Sequence, residues 1–412
     1  MKHVLFISYD GMTDPLGQSQ VIPYLSGLTK YGYRFTILSC DKPGRYIANK
    51  QFVERSIEGL PIRWISIPYH KIPPLLSSMY DYTILRKKAN ELYKDDPFQM
   101  VHTRPGLPTL VALWLKKKYG TLFLDDVRGF WADERVDGGM WNLKNPVFRA
   151  VYRFFKKHEN ECLEKADYIT CLTNAAKKEM LSWKHINKQP LAIEVIPCSA
   201  DLQLFDPSNI DQQLKEKFSA ELGINPGDLV FSYLGSIGGW YLTGEMMQLC
   251  KMLSDKFPKA KFLFISPHRH EVIEAAAATY GLDSQKIVTR QANRQEVPVL
   301  LSFSSYSIFF IKACYSKISS SPTKHGEIMA MGIPVITNIG VGDVEEIVNK
   351  YHGGYVLHDF SEKAINEVVN KIAAGNQFNS EEIRNGAKEY YSLSEAVNRY
   401  RYVYELIFRN AQ

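Results

Sequence analysis

The segment from Lys312 to Glu327 gathers the groups needed to hold a diphosphate and a ribose. It supplies Lys312, Lys317 and Lys324 as cations, Ser316, Ser319, Ser320, Ser321 and Thr323 as hydroxyls, and Glu327 as a carboxylate. Pro322 suits the first position of a helix, which would aim a helix N-terminus and its unpaired N–H groups at an anion. On that helix Thr323 and Glu327 lie four residues apart on one face, so Glu327 stands one turn deeper, where it can accept bonds from two vicinal ribose hydroxyls. Pairing of Glu327 with Lys324 or Lys312 is the structural alternative.

Other loops carry related chemistry. Tyr233-Leu234-Gly235-Ser236-Ile237-Gly238-Gly239-Trp240-Tyr241 lies between an apolar run and a helix expected to begin near Thr243. Its glycines let backbone approach a ligand, and the following helix dipole favours phosphate. In the first half, Asp10 to Gln20 includes Gly17 and Gln18 and leads into a helix expected over Val21 to Lys30. It is not a G-x-G-x-x-G fingerprint, which argues against a dinucleotide. Asp125 to Arg135 places Arg128, Asp133 and Glu134 around Phe130 and Trp131, a mixture suited to a sugar's hydroxyls and its apolar face. His102-Thr103-Arg104 ends another apolar run, where a side chain can face a ligand. Beside each stands a bland alternative: a tight turn, a surface salt-bridge network, or a histidine satisfied within the core.

These loops need a scaffold, and the chain offers one twice. Runs rich in β-branched and aromatic residues recur at Val4–Ser8, Arg34–Ser39, Arg63–Ile67, Met100–His102, Leu122–Asp125, Tyr168–Leu172 and Ile193–Ile196. They resume at Val230–Leu234, Lys261–Ile265, Lys286–Thr289, Ser307–Ile311, Pro334–Thr337 and Tyr355–Leu357. Helix-like segments separate them, the pattern of βαβ units and parallel sheets. With 412 residues, two domains are expected. The division falls near Pro197 to Gly227, giving residues 1–200 and 201–393, followed by a helix over 394–412 expected to pack back on the first domain. Two such sheets facing each other across a deep cleft would suit group transfer, because ligands sit at the carboxyl ends of parallel strands.

Composition narrows the class. With 45% hydrophobic and 23% charged residues, the chain reads as a packed globular enzyme, and a net charge of +6 does not indicate nucleic acid. The six cysteines are scattered, without a C-x-x-C pair or zinc spacing, which fits a reducing, cytoplasmic setting. No run approaches the roughly 20 apolar residues that cross a bilayer. Between Lys144 and Lys157, however, Lys144, Arg149, Arg153, Lys156 and Lys157 alternate with Phe148, Tyr152, Phe154 and Phe155, and Trp141 lies just upstream. That pattern fits either an interfacial helix drawn to anionic lipid or a helix with an aromatic core face.

Taken together, these residues resemble the family 4 retaining glycosyltransferases, whose GT-B fold consists of two facing Rossmann-like domains. The likeness runs from the strand and glycine loop at Val4 to Gly17 through Lys165-Ala166-Asp167-Tyr168, Val195-Ile196-Pro197, the Gly235 loop and Glu296-Val297-Pro298 to Lys324–Ile336, its most specific part. Ser321-Pro322-Thr323-Lys324 and Asp126-Val127-Arg128-Gly129-Phe130-Trp131 look like bacterial members that build surface polysaccharides. Two departures stand out. Ser319 occupies the position of the first of the family's two glutamates, with Glu327 matching the second. Ser236 stands at the position of the family's arginine, and Gly238 to Tyr241 supplies no lysine.

The resemblance implies transfer of a hexosyl or N-acetylhexosaminyl group from a UDP- or GDP-type sugar to a glycan or polyprenyl-linked acceptor. It implies no cofactor and no metal, in keeping with the absence of a D-x-D motif. Lys324, Glu327 and His102 are the implied catalytic residues. Gly235, Ser236, Arg290, Gln291, Lys312, Lys317, Ser319, Ser321 and Thr323 would bind the donor, with the base near Arg290 to Asn293. Gly17, Gln18, Arg104, Arg128, Asp133 and Glu134 would bind the acceptor. The expected location is the cytoplasm, at the inner face of the membrane if Lys144 to Lys157 binds lipid. A GT-B epimerase or hydrolase, or a noncatalytic sugar-binding subunit, are the alternatives.

Overall fold

The computed structural model describes residues 1–73 and 75–411. All thirteen expected runs form strands, and every pairing between them is parallel. The first sheet contains β1 (Lys2–Ser8), β2 (Tyr33–Asp41), β3 (Ile62–Pro68), β4 (Met100–Thr103), β5 (Leu122–Val127), β6 (Tyr168–Cys171) and β7 (Ile193–Val195), in the order β3-β2-β1-β4-β5-β6-β7. The second contains β8 (Leu229–Leu234), β9 (Ala260–Ile265), β10 (Ile287–Arg290), β11 (Tyr306–Ile308), β12 (Val335–Asn338) and β13 (Gly354–Leu357), in the order β10-β9-β8-β11-β12-β13. From His3 to Ser8 every residue of β1 is buried, as expected of a strand covered by helices on both faces.

The chain divides into two compact units, Met1–Ser199 with Leu393–Gln412, and Ala200–Ser392. Each has its own apolar core. In the first unit the closing helix Leu393–Asn410 buries Val397, Tyr400, Val403, Tyr404, Ile407 and Phe408. It packs on the helix Ile22–Thr29, where a Cβ on Gly27 would lie 2.6 Å from a Val397 methyl. Only a residue without a side chain permits that approach.

Local details add to the expectation or depart from it. The helix expected over Val21 to Lys30 forms as Ile22–Thr29, and an unexpected short helix, Pro15–Gln20, precedes it across a break at Val21. Pro23 in the first turn of the second helix lacks the N–H needed to continue the first. Pro322 caps the helix Thr323–Ala330 rather than starting it, because its ψ of 115° is extended. The run Ser307–Ile311 is a strand only as far as Ile308.

In each sheet the strand order reverses once, between β1 and β4 and between β8 and β11. Loops leaving such a pair run in opposite directions and leave a crevice at the carboxyl edge. The Gly235 loop follows β8 and the lysine-rich loop follows β11, so both candidate donor segments border the second crevice.

Candidate functional site

The two loops are stitched together before they reach the site. Lys312 N donates to Trp240 O at 2.8 Å, Leu242 N donates to Phe310 O at 3.1 Å, and Tyr241 bridges Ile311. Asn338, at the end of β12, clamps the same segment: its Oδ1 accepts from Ile311 N and its Nδ2 donates to Ile311 O, both at 2.9 Å. Gly235 takes φ +125°, open to glycine and strained for other residues. It is also crowded, since a Cβ there would lie 2.6 Å from Lys324 Nζ.

Lys324 is the most unusual charge in the unit. It is 8% exposed, and its Nζ lies 3.9 Å from the ring centroid of Tyr241 and 4.6 Å from that of Tyr233. Among the described residues its one hydrogen-bond partner is Tyr233 Oη, at 3.5 Å. Burial brings its pKa down to about 7, with the neighbouring Glu327 carboxylate opposing that fall. A buried amine this poorly satisfied is costly unless an anion completes its surroundings.

Glu327 is buried one turn further along the helix, and its partner is neither Lys324 nor Lys312. Arg294 Nη1 donates to its Oε1 at 2.5 Å. Burial raises the Glu327 pKa, while Arg294 and Lys324 act against that rise. Arg294 lies just after β10, with its guanidinium 4.9 Å from the Phe205 ring. The sequence signal for Arg294 was only its position next to the expected base-contacting stretch. Lys317 is buried with its Nζ 3.7 Å from the Trp240 ring centroid. Ser319 is buried and donates to Ser316 O at 2.8 Å. Ser321 and Thr323 are half-buried, and Ser236 and Lys312 are exposed. Arg290 directs its side chain to Glu221 at 2.8 Å and over Phe218, which leaves the loop backbone and exposed Gln291 at the strand end.

In the first unit the predicted residues do not form one surface site. His102, expected to face a ligand, is 2% exposed, with Nδ1 2.8 Å from Tyr404 Oη and Nε2 3.5 Å from Asp126 Oδ2. Burial lowers its pKa. Arg128, expected to meet an acceptor, donates to Ile196 O at 3.2 Å and Tyr400 Oη at 3.3 Å, and stands 3.8 Å from Asp126. Arg104 donates to Gln20 O and lies 3.8 Å from the same carboxylate. Asp126 also accepts from Thr170 at 2.8 Å and Tyr400 at 3.0 Å. Burial works to raise the pKa of Asp126, but the Arg128, His102 and Arg104 neighbours hold it well below the usual range. These residues therefore form a buried polar network that fastens the closing helix to β4 and β5. Asp133 is likewise engaged, accepting from Tyr152 at 2.7 Å and Lys156 at 2.9 Å, while Glu134 is half-buried. Gly17 packs where a Cβ would lie 2.4 Å from Gly11 O, and Gln18 donates to Thr13 O at 3.1 Å.

The glycine loop, the buried lysine and the helix N-terminus all lie in the second unit. Residues 215–389 match the family model of glycosyl transferases group 1. Among solved structures, a glycosyltransferase from Rickettsia africae superposes with a TM-score of 0.73 at 16% identity, covering 99% of each chain. A sucrose-phosphate synthase from Thermosynechococcus elongatus gives 0.71 at 14% identity, covering 100% of each chain. Anabaena HepE in complex with UDP and glucose gives 0.68 at 10% identity, covering 98% of this chain and 100% of that one. No curated protein matches the chain. At these identities the likeness establishes the architecture, which is GT-B, over the whole chain.

Proposed function

We propose that the chain is a retaining glycosyltransferase that moves a hexosyl or N-acetylhexosaminyl group from a UDP- or GDP-type sugar to a glycan or lipid-linked acceptor. The observation that carries this reading is the Lys324 amine, enclosed over Gly235 in the crevice between β8 and β11, whose neighbouring carboxylate, Glu327, is already paired with Arg294. A bound diphosphate would supply negative charge there, and an ammonium held against it lowers the barrier to leaving-group departure. The N–H groups of the first turn of Thr323–Ala330 would add to it. Glu327, held by Arg294, suits the vicinal hydroxyls of a ribose. Such chemistry requires no metal or other cofactor.

The match of residues 215–389 to a glycosyl transferase family and the UDP bound by the Anabaena neighbour both support a nucleotide-sugar donor. Retention follows from the resemblance of Lys324–Ile336 to family 4 enzymes, and NMR of the product anomer checks it. A role in bacterial surface polysaccharide synthesis rests on the same resemblance.

A lipid-linked acceptor at the inner face of the cytoplasmic membrane is supported by the surface of the first unit. Tyr152, Lys156 and Phe155 of the helix Pro146–Lys165 turn inward, toward Asp133 and Trp131. Arg149, Arg153, Lys157, Val147 and Phe154 remain exposed. Beside them an apolar groove of about 930 Å³ runs between this helix and the helices Leu76–Asp95 and Leu107–Tyr119, with Met79, Leu110, Trp114, Val151 and Phe154 in its walls. Among the described residues, no helix is long and apolar enough to cross a membrane.

The test is sugar-nucleotide turnover against an acceptor panel that includes polyprenyl-linked glycans. Transfer that falls at least about 100-fold in Lys324→Ala and Glu327→Ala is expected. Transfer unchanged by both substitutions would refute the reading. Donor hydrolysis or epimerisation without any acceptor would point to a different reaction in the same fold.

A further inference from the structure

The loop Gly238 to Tyr241 contains no lysine, and a lysine from a different element packs on the ring at its end, Tyr241. Lys324 Nζ reaches across from the helix Thr323–Ala330 to sit against the rings of Tyr241 and Tyr233. The groups that face it are few. Tyr233 comes from β8, Tyr241 from the loop after it, and Glu327 from the next turn of the same helix. Burial raises the pKa of both tyrosines, so each ring is neutral and neither is a counter-anion. The Tyr233 hydroxyl is committed as a donor to Ser236 O. Among the described residues Glu327 is the one charged group acting on the amine, and its Oε1 is already bonded to Arg294 at 2.5 Å.

Ring faces attract an ammonium ion, but they do not replace its hydration, and Lys324 as a whole is 8% exposed. Deprotonation relieves that cost in the empty site. A diphosphate reverses the balance by placing oxygen anions where water is excluded.

We propose that Tyr233 and Tyr241 are positioning residues that store Lys324 as a neutral amine over Gly235, and that a nucleoside diphosphate binds there together with a proton. The proposal rests on the donor-site reading above. The step is simple acid–base chemistry: the amine lone pair takes a proton released by the buffer, and the resulting ammonium faces the phosphate oxygens. No covalent bond of the ligand changes. The depressed Lys324 pKa, about 7, is in keeping with this arrangement.

Calorimetric titration of the full chain with UDP, GDP and ADP at pH 8, in two buffers of different ionisation enthalpy, tests it. The phosphates are fully ionised there, so proton exchange reports on the protein. For the ligand that binds, uptake of about 0.8 to 0.9 proton is expected, with Kd rising about sixfold between pH 7.5 and 8.5. Lys324→Arg should bind with uptake below about 0.2, because a guanidinium keeps its charge throughout. Tyr241→Leu should lower the uptake by admitting water to the amine, while Tyr241→Phe, which keeps the ring, should restore it. Wild-type binding with uptake below about 0.2 proton overturns the proposal while leaving the donor site standing. If none of the three diphosphates binds, the donor-site reading itself falls. Should Tyr241→Leu fail to fold, the wild-type uptake and the Lys324→Arg comparison still decide.

Discussion

Replacing Lys324 by methionine should stabilise the second unit even though it removes the main cation of the candidate site. Methionine keeps a flexible, unbranched chain of similar reach against Tyr233 and Tyr241 and removes the buried amine. In the folded chain burial has brought the Lys324 pKa from 10.5 to about 7. At about 1.4 kcal/mol for each tenfold change in proton affinity, that fall corresponds to about 5 kcal/mol. The unfolded chain binds the proton more tightly between pH 7 and 10.5, so wild-type stability rises with pH through that window and the penalty is fully present below it. Lys324→Met should therefore gain about 5 kcal/mol at pH 6 and about 2 kcal/mol at pH 9, as upper bounds. Losing the attraction between Lys324 and Glu327 takes back part of both gains. Urea unfolding followed by far-UV circular dichroism at the two pH values measures them. A variant less stable than wild type at pH 6, or a gain that does not shrink by pH 9, would refute the reasoning.

Three further outcomes follow from the same geometry. Gly235→Ala forces a Cβ toward Lys324 Nζ at a backbone angle of φ +125° and should weaken nucleoside diphosphate binding at least about tenfold; binding within twofold of wild type in calorimetry would count against the crowding. Asp126→Ala leaves Arg128 buried without its carboxylate and should destabilise the first unit by about 3 to 5 kcal/mol in urea unfolding, where a loss below about 1 kcal/mol would contradict the network. Because the Asp126 pKa is depressed, its contribution holds above the ordinary carboxylate range and disappears only in stronger acid, as an acid-unfolding curve would show. Glu327→Gln should lower the preference for UDP over 2′-deoxy-UDP about tenfold in competition binding, and an unchanged preference would remove Glu327 from ribose recognition.

The strands were legible because a parallel sheet buried on both faces leaves unbroken apolar runs, as in β1 and β8. Gly235 and the Lys312 to Glu327 segment were legible because loops at a strand-order reversal combine glycine, hydroxyls and cations within a few residues. Side-chain direction was not. Lys324 could be counted as a cation, but nothing local shows that its amine ends on the rings of Tyr233 and Tyr241, 91 and 83 residues earlier in the chain. Arg294 was passed over for the same reason, since its contact with Glu327 spans 33 residues. His102 and Arg128 stand at strand ends, as ligand-facing residues do. The closing helix covers them with Tyr400 and Tyr404 and turns them into core, a tertiary event that the local pattern does not encode.

The most direct test of the central claim is calorimetric titration of UDP, GDP and ADP into the wild-type chain and into Lys324→Ala. One nucleoside diphosphate should bind the wild type at one per chain, and Lys324→Ala should weaken that binding at least about tenfold. Absence of binding by all three, or affinity untouched by the loss of Lys324, would contradict the assignment of the crevice between β8 and β11 as a nucleotide-sugar site.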